Sequence, residues 1–297
     1  MTSGPRPDPV LGFYGPDSQM WRINREAVLL AAGPAALLLQ VAHPLVAEGV
    51  HQHSAFETDP PRRLRNTLRT TLALVFGDGA QAERAVRRLN GVHAEVRGVV
   101  QDAEARAATG VDAYRALDPE LLLWVQATLI HTSVESYERW VGPISPAERE
   151  RFWAEARSVG VRLGIPLAVS PVDWTAFEAY WARMLAPDGP IRITPTARRL
   201  GHIIAGSPLP FVPSPLLGPL MSPAIALLPE RIRAEYGLAW GPARAAVART
   251  LDTALRLWVR LLPRSWRSMP QARSADGRVR QWEDGTGGLR TSPPPSR

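Results

Sequence analysis

The sequence contains no cysteine and no lysine. Without cysteine there can be no disulfide framework, thiolate nucleophile, Cys-ligated zinc, iron–sulfur cluster or covalently attached c-type haem. Any metal must be held by His, Asp or Glu, or arrive inside a porphyrin. Without lysine, all 35 basic residues are arginine, and they are scattered along the chain. The formal net charge of +7 is therefore read as a solvated surface, and nucleic-acid binding is not expected. Several catalytic signatures are missing too. There is no Gly-x-Gly-x-x-Gly after a strand, no phosphate-binding Gly-x-x-x-x-Gly-Lys, no Gly-x-Ser-x-Gly elbow and no His-Glu-x-x-His. These absences argue against a Rossmann dehydrogenase, a P-loop ATPase, an α/β-hydrolase and a zincin.

Alternation of period two and hairpin signals are also lacking, and helical periodicity fills most of the 297 residues. Residues 1–19 are polar and broken by proline. They carry no signal-peptide pattern, so a cytoplasmic location is expected. The stretch 272–297, rich in Arg, Gly, Ser and Pro, reads as a disordered tail. Between them, residues 20–271 read as one all-α domain. Asp118-Pro119 caps an apolar run, Ser145 with Glu148 forms a capping box, and Asp173 and Thr194-Pro195 open further helices. Leu251, Leu255, Trp258 and Leu262 mark the apolar side of a long C-terminal helix. The ten tryptophans, among them Trp124, Trp153, Trp181, Trp240 and Trp258, are assigned to core packing. Val28 to Ala47 carries no formal charge over membrane-spanning length. Gly33-Pro34, Gln40, His43 and Pro44 would interrupt a span, so a buried helix kinked near the prolines is expected.

Six histidines are the main chemical resource. Val86, Leu89, His93 and Val96 recur at helical spacing, so His93 lies on an apolar stripe, either as a ligand or as a satisfied core group. Arg63, Asn66 and Thr67 fall on one face of a helix opened by Pro60-Pro61. They would aim a guanidinium, an amide and a hydroxyl at one point, or form a solvated basic face. Glu48 and His51 have the Glu-x-x-His spacing of a di-iron helix, but no second copy exists. His51, His53 and Asp59 could supply two imidazoles and a carboxylate to non-haem iron. His131 and Glu135 share a helix face.

Taken together, these residues resemble the MpaB-type and rubber-oxygenase catalytic-domain family, which includes the latex clearing proteins. The matching text includes Gly33-Pro34, Gln40, His43-Pro44, His53-Ser54-Ala55-Phe56 and Asp59-Pro60. It continues through Arg63, Asn66-Thr67, His93, Val96-Arg97-Gly98, Tyr114, Asp118-Pro119, Trp124, Gly164, Pro166 and Tyr236-Gly237, over roughly residues 20 to 275. The resemblance implies an all-α, globin-like domain holding haem b. It implies that His93 is the proximal ligand and that Arg63, Asn66 and Thr67 stand for a distal Arg-x-x-Lys-Thr motif. The basic middle position has become Asn66, which keeps a donor and loses the charge. Glu48 is a candidate catalytic base, and His43 is a second axial ligand, a pocket residue or a core group.

The expected activity is a haem-dependent oxygenase that uses O2 on a C=C bond of an apolar isoprenoid- or terpenoid-like small molecule, with an unidentified electron donor. The alternatives are a haem-binding or sensor protein without turnover, and a helical protein in peripheral contact with a membrane.

Overall fold

The computed structural model describes residues 4–53, 60–206 and 218–290, with the backbone alone for 60–65 and 285–290. The helix caps fall where the sequence puts them. The Asp118 carboxylate accepts the Glu120 N–H at 2.9 Å and opens α7. Ser145 and Glu148 cap reciprocally at the head of α8. Gly164, at φ +95°, ends the short 3-10 turn that follows, a conformation that favours glycine.

The elements run α1 (Gln19–Asn24), a 3-10 turn (Ala27–Ala32), α2 (Gly33–Val41), α3 (Pro44–His53), α4 (Pro60–Phe76) and α5 (Gly79–Glu95). A β-hairpin follows, β1 (Arg97–Val99) and β2 (Ala113–Arg115), with α6 (Ala103–Thr109) in its loop. Then come α7 (Pro119–Trp140), α8 (Pro146–Gly160), α9 (Trp174–Leu185), α10 (Pro195–Gly206), α11 (Ser222–Ala226) and α12 (Glu230–Glu235). The chain closes with α13 (Pro242–Leu261), α14 (Arg264–Arg267) and α15 (Pro270–Arg290). The protein is a single, mostly helical domain. Its one sheet among the described residues pairs Gly98 with Tyr114 in antiparallel register. Strands of three residues are too short to leave an alternating signature, which is why the sequence does not announce them.

The uncharged segment Val28 to Ala47 is largely buried, Leu30 excepted, and it is bent. Its 3-10 turn and α2 meet α3 at 105°, and among the described residues no single helix is long and apolar enough to cross a membrane. Carbonyls at the end of α2, where the helix breaks, take donors from distant elements. Tyr236 Oη donates to Leu38 O at 2.8 Å, Trp124 Nε1 to Leu39 O at 3.1 Å, and Arg192 N to Ala42 O at 3.2 Å. Two fully buried aromatics thus hold the corner while filling the core, which also takes Leu38, Leu39, Phe152, Trp153 and Phe177.

Two expectations need correction. The tail does not begin at Ala272: α15 runs to Arg290, and Ala272, Ala275 and Val279 bury against Trp21, Leu72 and Phe76. Asp276 takes the Arg25 guanidinium at 2.7 Å and the Trp21 indole N–H at 3.3 Å. An arginine-rich composition hid this, because three small apolar residues suffice for a helix clamped by the Arg25–Asp276 ion pair and by Arg278 donating to Val10 O and Phe76 O. The second correction concerns the tryptophans: Trp258, Trp266 and Trp282 are exposed, although Trp21, Trp124 and Trp153 are buried.

Candidate functional site

Helices α4 and α5 are joined through Gly77 and Asp78 alone, so they pack as antiparallel neighbours. Asp78 forms a capping box with Gln81 and fixes the start of α5 at Gly79. Counting back from this turn sets Arg63 on α4 level with His93 in the last turn of α5, and Asn66 and Thr67 about one turn nearer the link.

His93 is half-buried, and its Nδ1 is buried without a hydrogen-bond partner. Burial lowers its pKa, so the imidazole is neutral near pH 7. Asn66 and Thr67 are exposed on α4. The Arg63 side chain and the segment 54–59, which contains Asp59, lie outside the described residues. Cavities of about 660 and about 500 Å³ lie elsewhere, the first beside Arg198, Arg199 and His202 and the second beside Glu135, Arg139 and Asp252.

The chain leaves α5 through Val96 into β1, and β1 is clipped to α3. His53 Nε2 lies 3.1 Å from Arg97 O, and Gln52 Nε2 donates to Val99 O at 2.9 Å. Glu48, fully buried one turn earlier, sits behind this clip. Its Oε2 accepts from Gln52 Nε2 at 2.7 Å and from the Gln101 backbone N–H at 2.9 Å, while Oε1 has no partner. Tyr114 Oη donates to Gln52 Oε1 at 2.9 Å, and its pKa is pushed up to about 12 by burial and then by Glu48. Gly98 permits the close approach, because a Cβ there would lie 2.7 Å from Gln52 Oε1 and 2.8 Å from Tyr114 Oη. Sequence reasoning found Glu48 and missed Gln52, Gln101 and Tyr114 as its partners. The i, i+4 spacing of Glu48 and Gln52 was the available signal.

His43 stands at the bend between α2 and α3. Its Nδ1 accepts the Leu45 backbone N–H at 3.3 Å, capping α3. Burial lowers its pKa to about 4, with Asp118 opposing. His131 stacks on Trp181 at 4.0 Å, and Trp181 stacks in turn on Trp124 at 5.3 Å. His51 lies 3.0 Å from Arg199 Nη2. Among the described residues no three His, Asp or Glu side chains form a group able to hold a metal ion, so the di-iron reading finds no support there. The His51, His53 and Asp59 triad cannot be assembled from the described residues, since Asp59 lies outside them.

The chain is 32% identical over 246 residues to the uncharacterized protein Rv2237 of Mycobacterium tuberculosis and to the uncharacterized protein Mb2261 of Mycobacterium bovis. Each alignment covers 78% of this chain and 90% of the relative. No solved structure matches. The family described as ER-bound oxygenase mpaB/B'/Rubber oxygenase, catalytic domain, matches residues 20–262, which include the bent α2–α3 segment, the α4–α5 pair, His93 and Glu48. The chain belongs to this oxygenase family.

Proposed function

We propose that the protein is a haem b-dependent oxygenase that oxidises or cleaves a C=C bond of an apolar isoprenoid- or terpenoid-like small molecule with O2. The observation that carries the reading is His93: a neutral imidazole with a buried, unpartnered nitrogen, on the helix packed against the one bearing Arg63, Asn66 and Thr67. The residues fit a porphyrin iron better than a bare ion. One imidazole is enough for the former, and no three-residue ligand group is present for the latter among the described residues.

When bound, haem would supply the iron and the dioxygen chemistry. His93 would hold it through one ring nitrogen. The Arg63 guanidinium, Asn66 amide and Thr67 hydroxyl would supply hydrogen-bond donors for dioxygen or an oxygenated substrate. Of these, Arg63 alone brings a full positive charge to stabilise developing negative charge. Glu48 would serve as a proton acceptor. Support for that role is that Oε2 is held by Gln52 and the Gln101 N–H while Oε1 has no partner. Asn66, in place of the family's basic residue, favours a second reading, a haem sensor without turnover.

The test is the absorption spectrum of the purified, haem-supplemented protein, oxidised, reduced, and reduced with carbon monoxide. An intense Soret band that shifts with carbon monoxide, and that His93→Ala abolishes, is expected. A His93→Ala protein with unchanged haem content and spectrum overturns the assignment. A six-coordinate low-spin spectrum that neither O2 nor carbon monoxide perturbs selects the sensor.

A further inference from the structure

Large apolar side chains are exposed together at the end of α13 and on α14. Leu257 is 49% exposed, Trp258 37%, Leu261 77% and Trp266 73%. On α13, Val259 is buried against the main core. Leu257 and Leu261 lie two residues either side of it, about 200° round the helix, and so point away from the protein. Arg267 Nη1 donates to Val259 O at 3.0 Å and ties α14 back to α13, while Trp266, one residue earlier, stays in solvent.

The charge around this patch has one sign. From Thr253 to Ala275 there is no Asp or Glu, and there are five arginines: Arg256, Arg260, Arg264, Arg267 and Arg273. All but Arg267 are exposed. Three acids contributed by neighbouring elements lie to the side or beneath. Glu135 and Glu138 line the cavity around Asp252, nearer the start of α13, and Glu26 lies 3.5 Å under Arg267.

We propose that this surface docks the protein on an anionic lipid bilayer. Tryptophan and leucine would enter the headgroup layer, and the surrounding arginines would lay their stems along it with their guanidinium groups on lipid phosphates. A second copy of the chain fits poorly, because a self-complementary contact would bring arginine against arginine with no acid in the patch to pair them. The surface is distinct from the uncharged Val28–Ala47 segment, which is largely buried, and it does not depend on the oxygenase reading.

The test is co-sedimentation of the full chain with vesicles of phosphatidylglycerol mixed with phosphatidylcholine, against phosphatidylcholine alone. Pelleting with the anionic vesicles only, weakened by salt, is expected. Each arginine near the surface contributes about fivefold to partitioning, so Arg260→Gln with Arg264→Gln weakens it about twenty-fivefold. Leu261→Ser with Trp266→Ser removes most of the remainder while leaving the far-ultraviolet circular dichroism unchanged, since both side chains are exposed. No pelleting with anionic vesicles overturns the proposal, as does equal pelleting of parent and variants. A dimer in sedimentation velocity that Leu261→Ser dissolves also overturns it, and assigns the face to a second copy.

Discussion

His131 sets a measurable pH dependence of stability. Half-buried on α7 and stacked on the Trp181 ring, its imidazole has a pKa lowered to about 4 by desolvation. In the unfolded chain the same group titrates near its ordinary value of about 6.5. The unfolded state therefore binds more protons over the interval between the two values, and stability falls as pH falls through it. The contribution is fully present above about pH 6.5 and fully lost by about pH 4. At about pH 5 the loss from His131 is about 2 kcal/mol. Burial of His43, also lowered to about 4, adds a loss of similar size and the same sign. Glu26, Glu135 and Glu155 oppose it, because burial raises their pKa and the folded state gains protons as pH falls. The raw pH profile mixes these terms, so the assay must subtract them. Urea unfolding of the parent and of His131→Phe, which retains an aromatic ring to stack on Trp181, is measured at about pH 7 and about pH 5. The stability difference between the two proteins is expected to move by about 2 kcal/mol in favour of His131→Phe at the lower pH. Parallel losses in both proteins would refute the claim that His131 is held neutral by burial.

Three further outcomes follow from single contacts. Asp252→Ala strands Arg139, whose Nε and Nη2 lie 2.9 and 2.6 Å from the carboxylate, and the Trp140 indole N–H at 2.8 Å, so chemical denaturation should show a loss of about 3–5 kcal/mol. Deleting residues 272–297 should destabilise by about 3 kcal/mol, from the exposed contacts of Ala272, Ala275 and Val279, where removal of a disordered tail would leave the melting temperature unchanged. Gly98→Ala drives a methyl group into Gln52 and Tyr114 and should cost about 1–3 kcal/mol, read as a lowered urea midpoint.

What could be read in the sequence was local, and what could not was set by distant partners. The caps at Asp118 and Ser145 act within three residues, so their spacing is their structure. The α2–α3 corner was legible as an interruption by Pro34 and Pro44. The donors that make the corner affordable in a buried core, Trp124, Arg192 and Tyr236, come from elements up to 198 residues away. The same holds for α15, whose partners Trp21 and Arg25 stand at the other end of the chain. Trp258 shows the converse error: an apolar helical run says which side chains share a face, and leaves open whether another element covers it.

The candidate site divides along the same line. The Arg63, Asn66 and Thr67 spacing and the His93 stripe are helix periodicities, and the structure has helices there, α4 and α5, packed as neighbours. Glu48 is different, because its environment is assembled from Gln52, Gln101 and Tyr114 on three separate parts of the chain. That assembly gives Glu48 a structural task whatever its chemistry: it holds the β1–β2 hairpin, and hence the exit of the His93 helix, against α3. Loss of activity in a Glu48 variant would therefore not by itself identify a base. The two roles separate on the cofactor, because a displaced hairpin would disturb the setting of His93 and alter the haem spectrum, while loss of a proton acceptor would slow turnover and leave that spectrum as it was.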